Sequence, residues 1–355
     1  SIFLTLASCT RNPATGEKDF TAFMSKNQEI EIGAKEHPKI LQLFGGEYQY
    51  RSLNEYIRFI GNKLASVSDL PDLKYRFTIL NDEKVNAFAL PGGYVYVTRG
   101  LLALANNEAE LAGVIAHEIA HITARHSAQR YSATMATNIG LNIFGALGSA
   151  AGLPVGVNQI VSFGANAAIK GYSRKQELEA DKLGVRYMVM AGYSPNAMHS
   201  FFNSLAAHSR LEAKQNRGTK VTHNIMATHP RTKVRILRAI KLAKTESAIN
   251  FNFYRNQYLR QIDGMIFGDD PKQGLRKGQE FLHPELRFRF EVPPGFFMFN
   301  NRNNVVATGP NGSKIEFSMV TLKTSRSATD LGRSERRGRR NVGGYTTLAA
   351  AAAAA

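Results

Sequence analysis

NEAELAGVIAHEIAHIT, residues 107–123, is the segment of the chain with the clearest structural pattern. Asn107 followed three residues later by Glu110 is a capping pattern for a helix start. Apolar residues recur from there at helical spacing, so we expect one helix that continues to about residue 130. The apolar neighbours of its histidines indicate that this helix is buried.

Two histidines and a glutamate in this helix have the spacing of a metal site. His117 and His121 are four residues apart, so they lie within about 40° of each other on one helix face. Glu118 is rotated by about 100° and can hold a water beside the metal. The alternative is two histidines on an ordinary polar face, but burying two imidazoles and a carboxylate without partners is costly. Because Cys9 is the single cysteine, we expect only histidine and carboxylate ligands.

The third ligand has to come from another segment. His126, nine residues after His117, is about 180° around the same helix and is expected to point away from the metal. Ser173 and Gln176 form a capping box that predicts a second helix, reaching about residue 191.

Three acidic residues in that second helix are candidates. Glu177 and Asp181 share a face, so one carboxylate can bind zinc while the other orients a ligand histidine. Glu179 is rotated by about 200° from that face and is expected on the surface. Acidic helix faces are common, so this pattern gains weight only beside a two-histidine site that lacks a ligand.

The remaining patterns predict an α+β protein. A capping box at Ser25 and Gln28 begins a helix, and alternating residues after 286 indicate strands, with a hairpin turn at Asn311-Gly312. Further helices are predicted over residues 25–43, 53–65 and from 194, and strands over residues 75–80 and 86–98.

Residues 131–169 contain no charged residue. A membrane span is one interpretation, but recurring glycines, Pro154 and scattered amides interrupt every run of about 20 apolar residues. We expect buried helices with a glycine-rich loop that covers a cleft. Contact with a membrane surface is the remaining alternative.

Length and charge restrict the function classes. A chain of 355 residues, 43% hydrophobic and 21% charged, is neither disordered nor a polytopic membrane protein and is long enough for two domains. The net charge of +17 suggests nucleic acid or an anionic membrane as a partner. The excess is spread out, and no basic helix with interleaved aromatics or Cys/His finger is present, so we do not expect nucleic-acid binding.

Leu6-Ala7-Ser8-Cys9 follows an apolar stretch and resembles the lipobox of bacterial lipoproteins. A lipidated Cys9 would attach the protein to a membrane surface without a spanning helix. The alternative is an ordinary buried N-terminal segment with a chance cysteine.

Four segments together resemble one protein family: NAFALPGGYVYVTRGLL (residues 86–102), the stretch from His117 to His121, the stretch from Glu177 to Asp181, and His229-Pro230. The chain resembles the membrane-associated zinc metallopeptidases that include the CAAX prenyl endopeptidases and the heat-shock protease HtpX. It is most similar to their periplasmic BepA-like and LoiP-like branch. The resemblance covers roughly residues 25–245.

This resemblance implies a fold class, and a composition shift near residues 250–270 indicates a domain boundary there. The fold is a mainly helical zincin of the gluzincin type with a small antiparallel sheet, followed by a smaller β-rich domain. The expected divisions are a lipoprotein-type N-terminus and linker (1–24), the peptidase domain (25–250), the β-rich domain (251–325) and a basic tail (326–355).

The resemblance also assigns roles at the metal. One Zn²⁺ per chain is expected on His117, His121 and Glu177, with Asp181 supporting a ligand. Glu118 is then the base that takes a proton from the attacking water. The zinc would lower the pKa of its bound water to about 7 and polarise the carbonyl of the scissile peptide bond.

His229 and Arg235, six residues apart, match a further pair of that family. His229 either stabilises the reaction intermediate or occupies the open zinc position as a self-inhibiting switch, and either His229 or Arg235 would balance the oxyanion.

The expected substrates are unfolded or misfolded proteins of the bacterial envelope. The protein itself is expected in the bacterial periplasm, as a lipoprotein anchored to the outer membrane. Segments 87–89 and 94–97 are expected to form a sheet edge that binds the substrate backbone, with the residues Asn86, Ala87, Phe88 and Ala89. The alternative function is a zinc-containing chaperone or scaffold with a capped, inactive site. The β-rich domain would bind other protein partners.

Overall fold

The computed structural model describes residues 10–148, 171–215, 225, 229, 241, 252–301, 304–318 and 345–347. The chain forms two compact units, Ser1–Met265 and Ile266–Ala355. The first combines helices with small sheets and the second is β-rich, so the expected α+β class is confirmed.

Within the described residues, the helices of the first unit are α1 (Lys26–Leu43), α2 (Arg51–Ala65), α3 (Arg99–Leu104), α4 (Glu108–Thr123), α5 (His126–Gly148), α6 (Arg174–Met190), α7 (Asn196–Gln215) and α8 (Arg255–Ile262). Its strands are β1 (Thr10–Arg11), β2 (Lys18–Asp19), β3 (Arg76–Leu80), β4 (Ala87–Leu90) and β5 (Tyr94–Thr98).

The predicted helix starts are confirmed by their hydrogen bonds. Ser25 and Gln28 form a complete capping box at α1, and Ser173 and Gln176 form another at α6. The Asn107 side chain accepts a hydrogen bond from the backbone N–H of Glu110, in the first turn of α4. Each cap satisfies backbone N–H groups that the helix itself leaves unpaired.

Helix α4 is the centre of the first unit and is buried along its whole length. It packs against α2, α6, α7 and β4. Its polar end groups are paired: Glu108 accepts from the hydroxyls of Tyr56 and Tyr193, and the Thr123 hydroxyl lies 2.8 Å from that of Tyr187. These pairings compensate for the removal of the polar groups from water.

The prediction of one helix reaching residue 130 is wrong, because the chain turns sharply after Thr123. Arg125 has a φ of 54°, in the left-handed region. Its buried guanidinium donates to Glu29 at 2.9 Å and to the Met24 carbonyl at 2.7 Å. This turn redirects the backbone, so that α5 begins at His126.

The sheet next to α4 is mixed, with the strand order β3-β5-β4. Strands β4 and β5 form an antiparallel hairpin, whose turn uses Gly92 and Gly93 at φ values of 80° and 95°. The pairing of β3 with β5 is parallel. Strand β4 lies at an edge as expected, but the segment 94–97 lies in the central strand β5.

The uncharged segment is mostly exposed over residues 131–137. Within residues 131–137, Ser132 is buried, whereas Ala133, Thr134, Ala136 and Thr137 are exposed. The expectation of buried helices is therefore wrong for this part, and residues 149–169 lie outside the described ranges. No helix within the described ranges has the length and apolarity needed to cross a membrane.

The second unit contains the strands β6 (Leu275–Lys277), β7 (Glu280–His283), β8 (Phe288–Glu291), β9 (Phe297–Asn301), β10 (Asn304–Thr308), β11 (Lys314–Ser318) and β12 (Tyr345–Thr347). Phe281, Val292 and Met298 are buried in its own core. The predicted turn joins β10 to β11, with Asn311 at a φ of 59°.

The division between the units lies within the composition shift over residues 250–270, although the peptidase domain is expected from the sequence to end at residue 250. The contacts place it after Met265. Helix α8 packs on the first unit, where the buried Tyr258 hydroxyl donates to the Leu102 carbonyl at 2.6 Å.

Candidate metal centre

Four side chains from three segments meet beside α4. His117 and His121 come from α4, Glu177 from α6, and His229 from the segment after α7. Each offers one ligand atom, and these four atoms all lie within 4.8 Å of one another. All four residues are buried. We call them the four-donor cluster.

The spacing of these atoms fits a tetrahedral zinc ion. His117 Nε2 lies 3.0 Å from His121 Nε2 and 3.2 Å from His229 Nδ1. Glu177 Oε1 lies 2.9 Å from His229 Nδ1 and 3.5 Å from His121 Nε2. Ligands at about 2.0–2.1 Å from a tetrahedral zinc are about 3.3–3.4 Å apart. Three imidazoles and one carboxylate are also a donor set that suits this metal.

A glycine allows the two ligand-bearing helices to approach closely. A Cβ on Gly184 of α6 would lie 3.2 Å from both the Cα and the backbone nitrogen of His117. Such a distance is tighter than nine in ten real Cβ contacts. The absence of a side chain at Gly184 therefore lets Glu177, two turns earlier in α6, reach the histidines of α4.

Asp181 lies behind His117, as the shared face with Glu177 suggested. Its Oδ1 is 3.1 Å from His117 Nδ1, the ring nitrogen that faces away from the cluster. Such a carboxylate fixes the tautomer of a ligand histidine. Burial lowers the pKa of His117, but Asp181 and Glu177 outweigh it and raise this pKa to about 10.

The two expectations for His126 and Glu179 are wrong. His126 is fully buried, and its Nδ1 lies 2.7 Å from His121 Nδ1. Glu179 Oε2 lies 3.6 Å from His126 Nε2, with its side chain only 16% exposed. The left-handed turn at Arg125 places His126 beside the cluster, because α5 does not continue the helical rotation of α4.

Tyr172 is a site residue that sequence reasoning missed. Its ring stacks on that of His121 with a centroid distance of 3.8 Å and an angle of 15°. Burial raises the pKa of Tyr172 to about 12. The sequence feature that could have indicated Tyr172 is its position directly before Ser173, the capping residue of the helix that carries Glu177.

Glu118 differs from the other polar residues of α4. It is fully buried, yet neither carboxylate oxygen accepts a hydrogen bond from the described residues. Its Oε1 lies 3.5 Å from His229 Nε2. Burial raises the pKa of Glu118, although the charges of His229 and His117 oppose this.

A cavity of about 310 Å³ lies on the His121 side of the cluster. Its wall includes Tyr172, Arg125 and the segment from Ala89 to Gly92, which covers the end of β4 and the start of the hairpin turn. The predicted substrate-binding residues Asn86, Ala87, Phe88 and Ala89 are all buried. Ala89 is the member of this set that lines the cavity.

Two predicted site residues, Cys9 and Arg235, lie outside the described residues.

Comparison with known proteins identifies related sequences. The model of peptidase family M48 matches residues 51–243. The mitochondrial metalloendopeptidase OMA1 of Schizosaccharomyces pombe is 34% identical over 188 residues, 53% of this chain and 52% of that protein. Beta-barrel assembly-enhancing proteases are 31% identical over 184 residues in Yersinia pestis, 50% of this chain and 36% of that protein. Their counterpart in Escherichia coli K12 is 30% identical over 195 residues, 53% and 38% of the two chains.

The chain thus spans between about a third and a half of the length of these curated relatives. The family match covers more than half of the chain and includes every residue of the four-donor cluster. The chain belongs to peptidase family M48.

Proposed function

We propose that this protein is a zinc-dependent endopeptidase whose metal is held by His117, His121 and Glu177. The observation that carries the proposal is the four-donor cluster with Glu118 buried beside it. A carboxylate without a hydrogen-bonded partner has no structural use in a buried helix and costs free energy there. The family match is consistent with this assignment.

Zinc at this site would lower the pKa of a water molecule and polarise the carbonyl of the scissile peptide bond. Glu118 would take the proton of the attacking water and deliver it to the leaving amine. Its raised pKa favours both steps, because a base that gains and loses a proton works best near the working pH. Asp181 and His126 would hold the two ligand imidazoles in position.

His229 has two possible roles, and the geometry favours that of a cap. Its Nδ1 lies within the cluster, 3.2 Å from His117 Nε2, while its Nε2 is 3.5 Å from Glu118. A water that bridges those last two groups through two normal hydrogen bonds would hold them about 4.5 Å apart. In this arrangement His229 excludes the reacting water, so we propose that His229 is the fourth ligand of a resting state and leaves during turnover.

The position of His229 within the four-donor cluster also supports a second candidate function, a chaperone or scaffold with a permanently capped zinc. Four protein ligands are typical of a structural zinc site. Such a site does not need Glu118, and cleavage activity distinguishes the two functions.

The test is cleavage of unfolded casein by the zinc-loaded chain and by the Glu118→Gln variant. We expect cleavage by the native chain, its loss with a chelator, and a fall of about 10²–10⁴-fold in the variant. Zinc binding by both proteins with cleavage by neither would favour the capped scaffold.

The substrate and location belong to this proposal too. We propose that the chain cleaves misfolded proteins of the bacterial envelope, with the edge of β4 at residues 86–89 binding the substrate backbone. A lipid on Cys9 would attach it to the outer membrane from the periplasm. Support comes from the Leu6–Cys9 pattern and from the bacterial relatives. Membrane fractionation of Cys9→Ser tests the anchor, since this variant should become soluble.

A further inference from the structure

We propose that His126, backed by Glu179, is a positioning residue that holds His121 in its metal-binding tautomer. The inference rests on the proposed metal site and extends it to a second layer of residues. It is independent of whether the metal serves catalysis or structure.

The two ligand histidines of α4 have different partners behind them. His117 Nδ1 faces the Asp181 carboxylate at 3.1 Å. His121 Nδ1 instead faces another imidazole, with His126 Nδ1 at 2.7 Å. A ligand histidine usually donates its second N–H to a carboxylate, a carbonyl or water. A second imidazole in this place therefore needs its own explanation.

The distance of 2.7 Å between two ring nitrogens requires one donor and one acceptor. His121 Nε2 points into the cluster, 3.0 Å from His117 Nε2, and a metal there needs its lone pair. The proton of His121 is then on Nδ1, which donates to His126. His126 consequently carries its own proton on Nε2.

Glu179 completes the arrangement. Its Oε2 is 3.6 Å from His126 Nε2, so an approach of about half an ångström would form a hydrogen bond. The other oxygen, Oε1, accepts from the Asn12 side chain at 3.5 Å. The same amide nitrogen donates to Asp19 Oδ2 at 2.5 Å and to the Ala124 carbonyl at 3.1 Å, which places Glu179 near the end of α4. With that approach, Glu179 would keep the proton of His126 on Nε2, and His126 in turn keeps the proton of His121 on Nδ1.

The test is zinc affinity, measured by competition with a chelator in the full chain. His126→Phe keeps an aromatic ring but has no acceptor, and we expect zinc binding to weaken by about 10–100-fold. His126→Asn places an oxygen near the position of Nδ1 and should recover most of this loss. Ser132→Ala is the matched control in the same helix, because Ser132 is buried and bonds the Phe23 amide away from the cluster.

Unchanged affinity in His126→Phe, or no recovery in His126→Asn, would overturn the inference. Thermal unfolding of the metal-free variants shows whether they fold. If His126→Phe does not fold, Glu179→Ala replaces it, with a smaller loss of affinity expected and no loss counting against the proposal. A native chain that binds no zinc would instead refute the proposed function itself.

Discussion

Glu118 and Glu177 are two buried carboxylates beside the same histidines, but their pKa values move in opposite directions. Burial raises the pKa of both. For Glu177 the charge of His229 and hydrogen bonds from His117 and His229 outweigh burial and hold its pKa well below the usual range. For Glu118 burial prevails. The difference suits a permanently ionised ligand and a residue that exchanges protons.

Zinc binding should release a proton at neutral pH. The raised pKa of His117, about 10, means that this ring is protonated in the metal-free chain below that pH. A metal displaces the proton, so binding should tighten by about tenfold for each pH unit between pH 7 and 9. Chelator competition at several pH values measures this dependence. An affinity that does not change over that range would contradict the assigned protonation.

The capping role of His229 predicts a gain of activity. His229→Ala removes a donor from the cluster and leaves space beside Glu118 for water. We expect faster casein cleavage with weaker zinc binding, measured at saturating zinc. Slower cleavage at full zinc occupancy would instead assign His229 to stabilisation of the intermediate.

At the scale of elements, the metal site depends on how closely α4 and α6 pack. Gly184→Val would add bulk against the backbone of His117. We expect a loss of about 1–3 kcal/mol in the free energy of unfolding, with weaker zinc binding.

Lys182→Val is the matched control for this change. It introduces the same side chain into α6 at an exposed position, so only the lower helix propensity of valine should matter. Equal zinc affinity in both variants would show that the close approach at Gly184 does not position the ligands.

Local patterns predicted the elements that depend on local bonds. The capping boxes at Ser25 and Ser173 were readable because each joins residues three apart. The end of α4 was not readable, because Arg125 is not glycine and adopts its left-handed turn through bonds to the distant Glu29 and Met24. The parallel pairing of β3 with β5 depends on register between distant segments.

The same distinction applies to the candidate site. His117, Glu118 and His121 could be predicted from helical spacing alone. The choice of Glu177 over Asp181 needed family resemblance, because both share one helix face. His126 was misplaced, since a helical wheel does not hold across a turn.

At the scale of the whole molecule, the four-donor cluster and its supporting residues all lie in the unit Ser1–Met265. The unit Ile266–Ala355 has its own core around Phe281. A metal that binds only the folded first unit stabilises that unit by mass action.

Removal of the metal should therefore lower the unfolding temperature of the first unit and leave that of the second unit unchanged. With zinc in about hundredfold excess over its Kd, we expect chelation to lower the transition of the first unit by roughly 5–10 °C. Differential scanning calorimetry with and without chelator measures this shift. No shift in any transition would exclude a metal that stabilises the fold.

The central claim is that Glu177 binds the metal while Glu118 acts on the substrate. Metal analysis and casein cleavage of the native chain, Glu177→Gln and Glu118→Gln test it directly, since both variants make the same chemical change in one buried site. We predict one zinc per native chain, retention of zinc by Glu118→Gln, weakened zinc binding in Glu177→Gln, and strongly reduced cleavage in both variants. Full zinc in Glu177→Gln, or loss of zinc from Glu118→Gln, would contradict this account.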